Sequence, residues 1–362
     1  MTLKILHTES STGWGGQEHR TFKELVALRE RGHCMEVACR PGARLGDRAE
    51  EAGFTVHRIS MRGGGDLIAA WKLAKLLRRG RYDVVNTHSG HDSLLGGLAG
   101  RLAGTPLIVR TRHLALAITS LTTYKTLPHK VVTVSKWVRQ YLISAGVPAK
   151  NVETIYTGIQ PPEPVAHSTL RTELGLAADD IVIGTVAILR YEKGHRDLID
   201  AAAPLLAERP RVHLVFAGDG PIFNELDGYI AEKGLHGRIH LLGLRRDIPN
   251  VLAGCDFFAL ATWQEALGTS FVEAMAAGLA VVGTAVDGVP EVVADGISGI
   301  LVPARDPASL REALYRLIDQ PEMRRTMGEA GLNITRTRFN VATMASEMES
   351  FYLKSLAERG AR

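Results

Sequence analysis

The stretch 265–278, EALGTSFVEAMAAG, decides how this chain is read. Immediately before it, Phe257-Phe258-Ala259-Leu260-Ala261 is a continuous apolar run, the pattern of a strand buried on both faces of a parallel sheet. The run empties into a polar turn whose first acidic residue is Glu265, which puts a carboxylate at the carboxyl end of a strand. Gly268 allows a tight backbone, Thr269 and Ser270 are expected to cap the helix that follows, and Gly278 is its expected left-handed stop. Along that helix Phe271, Val272 and Met275 can pack inward, while Glu273 shares a face with the small residues Thr269, Ser270, Ala276 and Ala277. The loop Leu267-Gly268-Thr269 offers unpaired backbone N–H groups and the positive end of a helix dipole, an arrangement that suits a phosphate. Two glutamates at this spacing are also common as solvated or ion-paired residues, so spacing alone does not separate the two readings.

Working outward, the same strand-then-helix grammar recurs. LKILH (3–7), MEVACR (35–40), TVHRI (55–59), YDVVNTH (82–88) and PLIVRTRH (106–113) are short apolar runs separated by helical patterns. A second series follows: DIVIGTVAIL (180–189), RVHLVFAG (211–218), RIHLLG (238–243), CDFFALA (255–261), LAVVGT (279–284) and SGILVP (298–303). Alternation of this kind predicts an α/β fold, two doubly wound parallel sheets with ligands at the strand carboxyl ends. Between the series, Asn151–Ala166 carries Pro161, Pro162 and Pro164 and reads as a linker, giving domains 1–160 and 161–342. The end of the chain reads as three helices, of which the last, from about residue 343, is expected to return to the first domain.

At 362 residues with 45% hydrophobic and 23% charged composition, the chain is too long for one compact core. Its net charge of +4 hides an asymmetry: residues 1–160 carry +11 and residues 161–362 carry −7. A basic first half attracts nucleic acid, anionic membrane or anionic small molecules, and charge alone does not choose among them. Cys34, Cys39 and Cys255 show no metal-ligand spacing and read as buried reduced thiols. The amino terminus enters a strand without a basic region and long apolar core, and no apolar run reaches the roughly 18 residues of a membrane span. A cytoplasmic location is expected.

Other strings could carry chemistry. In TGWGGQEHR, the pair Gly15-Gly16 stands ahead of a helix starting near Gln17, where backbone can approach an anion. In TVAILRYEKGHRDLI, Arg190 and Lys193 follow a buried strand and precede a helix, so both can meet a phosphate. His88 and His91 in THSGHD, and Arg110, Arg112 and His113 in IVRTRHL, sit at strand ends. No Asp-x-Asp pair occurs at a strand end; Asp179-Asp180 precedes a strand and reads as a turn, so nothing requires a divalent metal.

The long string EALGTSFVEAMAAGLAVVGTAVDGVPEVVADGISGILV (265–302) resembles the E-x7-E signature of the family 4 retaining glycosyltransferases, nucleotide-sugar enzymes of the two-domain GT-B architecture, in which two Rossmann-like domains face across a cleft. The resemblance implies that Glu265 contacts donor sugar hydroxyls and Glu273 the ribose. It implies that Gly15, Gly16 and Glu18 form the GGxE loop over the donor diphosphate, and that Arg190 and Lys193 form a basic diphosphate clamp. Many members place that arginine five residues before the lysine, where this chain has Ile188. His113 matches a histidine set against the donor sugar, Gly218 and Gly220 lie near the base site, and Arg245 and Arg246 are candidates to flank the base. Ser135 matches a serine turn, while Thr157 stands where an Asn-Gly is usual and Ala280 where proline is frequent. His88 and His91 are candidates for acceptor contact.

The reaction so implied is transfer of a sugar from a nucleoside diphosphate donor, UDP first among them, to an acceptor hydroxyl with retention, by front-face attack and without metal. GWGGQEHR and VRTRHL resemble strings of bacterial enzymes that build lipopolysaccharide or other envelope glycans, and the basic first half suggests an anionic glycan or glycolipid acceptor. IAAWKLAKLLRRGR (68–81) sets Trp71, Leu73, Leu76 and Leu77 beside Lys72, Lys75, Arg78 and Arg79. That face can lie on an anionic inner membrane or serve as a surface helix docked on its own sheet. A GT-B epimerase or phosphorylase-like enzyme, and a non-enzymatic nucleic-acid-binding protein, are the alternatives carried forward.

Overall fold

The computed structural model describes residues 1–161, 163 and 165–360. It contains two compact units, Met1–Gly158 with Asn340–Arg362, and Ile159–Phe339. The two prolines Pro162 and Pro164, part of the linker reading, lie outside the described residues, as do the last two residues of the chain.

The first unit is built on β1 (Lys4–Glu9), β2 (Cys34–Cys39), β3 (Thr55–Arg58), β4 (Val84–Thr87), β5 (Leu107–Arg112), β6 (Lys130–Thr133) and β7 (Val152–Thr154). They form one parallel sheet in the order β3-β2-β1-β4-β5-β6-β7. The second unit is built on β8 (Ile181–Val186), β9 (Val212–Ala217), β10 (Ile239–Gly243), β11 (Phe257–Leu260), β12 (Val281–Thr284) and β13 (Gly299–Val302). These too are all parallel, in the order β10-β9-β8-β11-β12-β13.

Both orders reverse direction once, between β1 and β4 in the first sheet and between β8 and β11 in the second. Crossovers leave such a pair in opposite directions, so the connections after the two strands part and open a crevice at their carboxyl ends, the usual ligand site of a doubly wound sheet. The second sheet excludes water on both faces. Phe257, Phe258, Val281 and Val282 are fully buried, and helices 195–208 and 307–319 contribute Leu198, Leu205, Leu310 and Leu314 to one of the faces. The final helix, Val341–Gly360, seats Met344, Met348 and Tyr352 in the core of the first unit with Leu25, Leu28 and Val37.

Four expectations need correction. The linker stretch opens with β7, a short edge strand whose outward Glu153 breaks the apolar pattern. Cys34, at the start of β2, is exposed, whereas Cys39 and Cys255 are buried and burial pushes their thiols up to about 11 and about 12. In helix Leu67–Gly80, Leu73 and Leu77 pack inward against β-strand residues such as Leu6 and Val85; the apolar groups left in water are Leu67, Ile68 and Trp71. Thr269 and Ser270 are the first residues of helix Thr269–Ala276 rather than its cap: Gly268, at φ 96°, is the N-cap and no side chain caps the helix.

Candidate active site

The crevice at β8 and β11 brings together residues far apart in sequence. Past β11, Thr262 Oγ1 and the Trp263 N–H both donate to the Glu192 carbonyl, at 3.0 and 2.7 Å, stapling the loop after β8 to the loop after β11. Trp263 Nε1 donates to Asp197 at 2.7 Å, holding the following helix in the same staple. Gly194 makes this fit possible. It sits at φ 64°, and a Cβ there would lie 1.8 Å from the Ala261 carbonyl oxygen.

The staple places the Lys193 ammonium against the Glu265 carboxylate, where the two form an ion pair with side chains only 20% and 17% exposed. Glu265 is itself fixed from a third direction. Its N–H donates to Asp287 Oδ2 at 2.9 Å and its carbonyl accepts from Gly288 N–H at 3.0 Å. Asp287 holds a left-handed backbone, φ 47°, and burial lifts its carboxyl above the usual range. Sequence reading missed Asp287; a non-glycine residue in a turn of glycines and prolines was its only signal.

Next to Glu265 the helix Thr269–Ala276 opens without a side-chain cap: the Phe271 and Val272 N–H groups donate to the Gly268 carbonyl at 3.0 and 3.3 Å, those of Thr269 and Ser270 meet no capping side chain, and the dipole adds partial positive charge there. Leu267 is buried beneath this turn, and Glu273 stands half-buried beside Thr269 and Ser270 on the same helix face, while Phe271, Val272 and Met275 are buried. Gly218 and Gly220 close the loop after β9 onto the loop after β8: a Cβ on either would come within 1.8 and 2.3 Å of the Ala187 and Leu189 carbonyl oxygens. Arg190 is less committed than Lys193, 55% exposed and 3.9 Å from Glu192, with Ile188 exposed nearby. Arg245 departs from its expected role. Its guanidinium is held by Asp247 (2.8 and 2.6 Å) and Glu173 (2.7 Å), so it ties the start of helix Ile248–Ala253 to the end of helix Leu170–Glu173 instead of offering free donors, and Arg246 is exposed. Asp180 does close a turn, accepting from the Ala177 N–H at 2.7 Å.

The crevice at β1 and β4 in the first unit is lined differently. Gly15 and Gly16 lead into helix Gly16–Glu30, and the buried Glu18 turns back to accept the Gly15 N–H at 2.8 Å, so the carboxylate pins the glycine turn. Glu9, at the end of β1, accepts from the Ser11 N–H at 2.8 Å and from Gln17 Nε2 at 2.6 Å, tying the other side of the same loop. Burial, with the Asp92 carboxylate nearby, pushes Glu9 up to about 8. Neither Glu9 nor Asp92 was singled out from sequence.

His113 is buried at the end of β5, its Nε2 2.9 Å from His88 Nδ1, and His88 Nε2 lies 2.8 Å from His7 Nδ1. His88 is therefore an interior residue held between two rings, a correction to its expected contact with an acceptor; His91 is exposed on the next helix. Arg112 braces the loop after His113 by donating to the Leu114 carbonyl at 2.8 Å and to the Leu116 carbonyl, and Arg110 stacks over Tyr124, 3.7 Å from the ring centre. Ser135 caps helix Lys136–Ser144, accepting the Val138 N–H at 3.1 Å. Thr157 is buried within 3.5 Å of the buried Arg20.

Comparison with known proteins fits this geometry. Residues 14–162 match the model of Glycosyltransferase Family 4 and residues 167–333 that of Glycosyl transferases group 1. An Escherichia coli UDP-Gal:alpha-D-GlcNAc-diphosphoundecaprenol alpha-1,3-galactosyltransferase is 25% identical, covering 99% of this chain and 98% of its own. The Rhizobium meliloti lipopolysaccharide core biosynthesis glycosyltransferase LpsD is 25% identical over 99% of this chain and 100% of its own. Among solved structures, Anabaena HepE in complex with UDP and glucose superposes with a TM-score of 0.86 at 25% identity, covering 97% of this chain and all of that one. Two family models that together reach from residue 14 to residue 333, and relatives and folds that match nearly end to end, make this chain a family 4 glycosyltransferase of the GT-B fold class.

Proposed function

We propose that the chain moves a sugar from a UDP-sugar to a hydroxyl of an anionic envelope-glycan precursor, with retention and without a metal ion. The observation that carries this reading is the Lys193–Glu265 pair at the reversal point of the second sheet, beside an uncapped helix start. A cation and N–H donors suit a diphosphate, a carboxylate suits sugar hydroxyls, and the half-buried Glu273 suits the ribose diol. HepE binds UDP and UDP-glucose, and the E. coli relative uses UDP-Gal on a diphosphoundecaprenol-linked sugar, which supports both the donor and the acceptor class.

In the reaction, the bond between the anomeric carbon and the diphosphate oxygen breaks while the acceptor oxygen bonds the same face of that carbon. The acceptor proton passes to the departing phosphate oxygen. Lys193, Arg190 and the first-turn N–H groups of Thr269–Ala276 stabilise the charge that grows on the leaving group, electrostatic catalysis by donors already in place. None of the alternatives carried forward, an epimerase, a phosphorylase-like enzyme or a nucleic-acid-binding protein, gains support from the likenesses. The test is a panel of UDP, GDP, ADP and CMP sugars incubated with and without a polyprenyl-diphosphate glycan acceptor in the presence of chelator. Sugar consumption only when acceptor is present supports transfer. Interconversion without acceptor would make the chain an epimerase, and activity lost with chelator would end the metal-free reading.

The first unit also suggests where the acceptor resides. Leu67 (72% exposed), Trp71 and Leu102 stand in water around a trough of about 560 Å³ ringed by Lys75, Arg78 and Arg79, and Ile68 is exposed on the same helix. Apolar groups amid cations are the composition of a surface that rests on anionic lipid at the cytoplasmic face of a membrane. Among the described residues no helix is long and apolar enough to cross one. In co-sedimentation, vesicles with about one-third anionic lipid should bind the protein at low salt and release it as salt rises, and a Leu67→Ser/Trp71→Ser variant should bind several-fold less. No sedimentation at low salt would remove the membrane from this account.

A further inference from the structure

The histidines of the first unit form one continuous line. From the crevice inward it runs His113 Nε2 to His88 Nδ1 (2.9 Å), His88 Nε2 to His7 Nδ1 (2.8 Å), and His7 Nε2 to Glu24 Oε1 at 3.7 Å. All three rings are buried, and burial, helped by the charge of Arg20 and by the neighbouring rings, holds them below the usual histidine range, His7 down to about 3. They are neutral at physiological pH.

A neutral imidazole has one N–H and one lone pair. Two ring-to-ring hydrogen bonds in series therefore allow two arrangements: every ring carries its proton on Nε2, or every ring carries it on Nδ1. The inner end decides between them. Tyr352 Oη accepts from Asn86 Nδ2 at 2.9 Å, and the Asn86 amide is oriented by Thr111, whose hydroxyl donates to Oδ1 at 3.0 Å. Tyr352 must then donate its own proton to Glu24 Oε1, 3.0 Å away, so that oxygen is an acceptor. His7 Nε2 faces the same oxygen across 3.7 Å, beyond hydrogen-bond reach, and has no hydrogen-bond partner, so the carboxyl acts on it electrostatically. An N–H there is attracted; a lone pair there is repelled. Thr21 Oγ1, whose proton goes to the Gln17 carbonyl, stands 3.4 Å from His88 Nδ1, a longer and weaker contact than either ring-to-ring bond.

We infer that Glu24, acting through His7 and His88, fixes His113 as the Nε2–H tautomer, so that its Nδ1 accepts a hydrogen bond from a carbohydrate hydroxyl bound at the first unit. Glu24, His7 and His88 are positioning residues for His113, which alone would touch the ligand. The assignment of that ligand rests on the function proposed above; the tautomer does not. A carbohydrate hydroxyl both donates and accepts, whereas a fixed lone pair takes only its proton, so the line sets the sense in which a hydroxyl docks.

The experiment is long-range ¹H–¹⁵N correlation on the full chain labelled with ¹⁵N-histidine, with signals assigned by single histidine replacements. Expected is a protonated Nε2 and a pyridine-type Nδ1 for His7, His88 and His113 alike. A protonated Nδ1 on His113, or an imidazolium at neutral pH, overturns the inference. His7→Phe keeps the volume and cuts the line from Glu24. It should leave His113 as a mixture of tautomers, with turnover of a UDP-sugar reduced in proportion to the share of the other tautomer, about twofold for an even mixture, and UDP affinity unchanged. An unmixed Nε2–H tautomer persisting in His7→Phe would take the role away from Glu24. If the wild-type tautomer is as stated but no nucleotide sugar turns over, the proposed function fails and the tautomer stands.

Discussion

Lys193→Ala is expected to lower turnover of the donor sugar by about 100- to 1,000-fold while changing the donor KM by much less. Removing one preorganised donor from the place where charge develops costs roughly 3–4 kcal/mol in a transition state. The same side chain contributes less to ground-state binding, because in the free protein its ammonium is already satisfied by Glu265 and that pair must be given up when the donor arrives. The loss also leaves the half-buried Glu265 without its partner, so thermal stability should fall slightly along with turnover. Steady-state kinetics with a competent acceptor separates the two terms. Near-normal turnover would mean that the leaving diphosphate is neutralised elsewhere. Arg190→Ala should cost less, since that side chain is mostly in water and its nearest carboxylate is 3.9 Å away.

The second large effect is conformational. Gly194→Ala would put a methyl group 1.8 Å from the Ala261 carbonyl oxygen, and the atom it meets is backbone, unable to swing aside. The left-handed backbone at φ 64° adds a cost of about 1–2 kcal/mol for any side chain. Relief requires the loop after β8 to lift away from the loop after β11, breaking the bonds of Thr262 and Trp263 to the Glu192 carbonyl. The expected destabilisation is about 3 kcal/mol or more, which for a unit of this size is a fall in Tm of roughly 6–12 °C. Activity should drop further than stability, because lifting the loop carries Lys193 off Glu265. An unchanged Tm by calorimetry would show that the loop accommodates the methyl group.

The two sheets were legible because their central strands are unbroken apolar runs. Phe257–Leu260 and Val281–Thr284 are buried on both sides, so they carry no polar interruption to confuse the reading. Edge elements were harder. Val152–Thr154 is three residues long with an outward glutamate and prolines further on, and Lys130–Thr133 is a four-residue strand that was not among the apolar runs read from sequence. The site was legible where one local segment carries it, as with Glu265, Gly268 and Glu273 on a single strand-loop-helix. It was not legible where meaning comes from strand order. His7 and His88 meet because β4 lies beside β1, with His7 opposite Asn86, and β5 adds His113; no local pattern encodes that adjacency. Tyr352 and Glu24 are separated by most of the chain and meet only because the last helix packs on helix Gly16–Glu30. Arg245 illustrates the converse: a basic loop residue looks available for a ligand until Glu173 and Asp247, one of them 72 residues away, are seen to hold it.

The measurement that bears most directly on this account is a crystal structure of the full chain with a UDP-sugar. The account predicts a diphosphate oxygen within about 3 Å of Lys193 Nζ and of a first-turn N–H of helix Thr269–Ala276, with Glu265 released from Lys193 and turned to the sugar hydroxyls. A nucleotide seated away from the reversal point of β8 and β11, with the Lys193–Glu265 pair still closed, would contradict it.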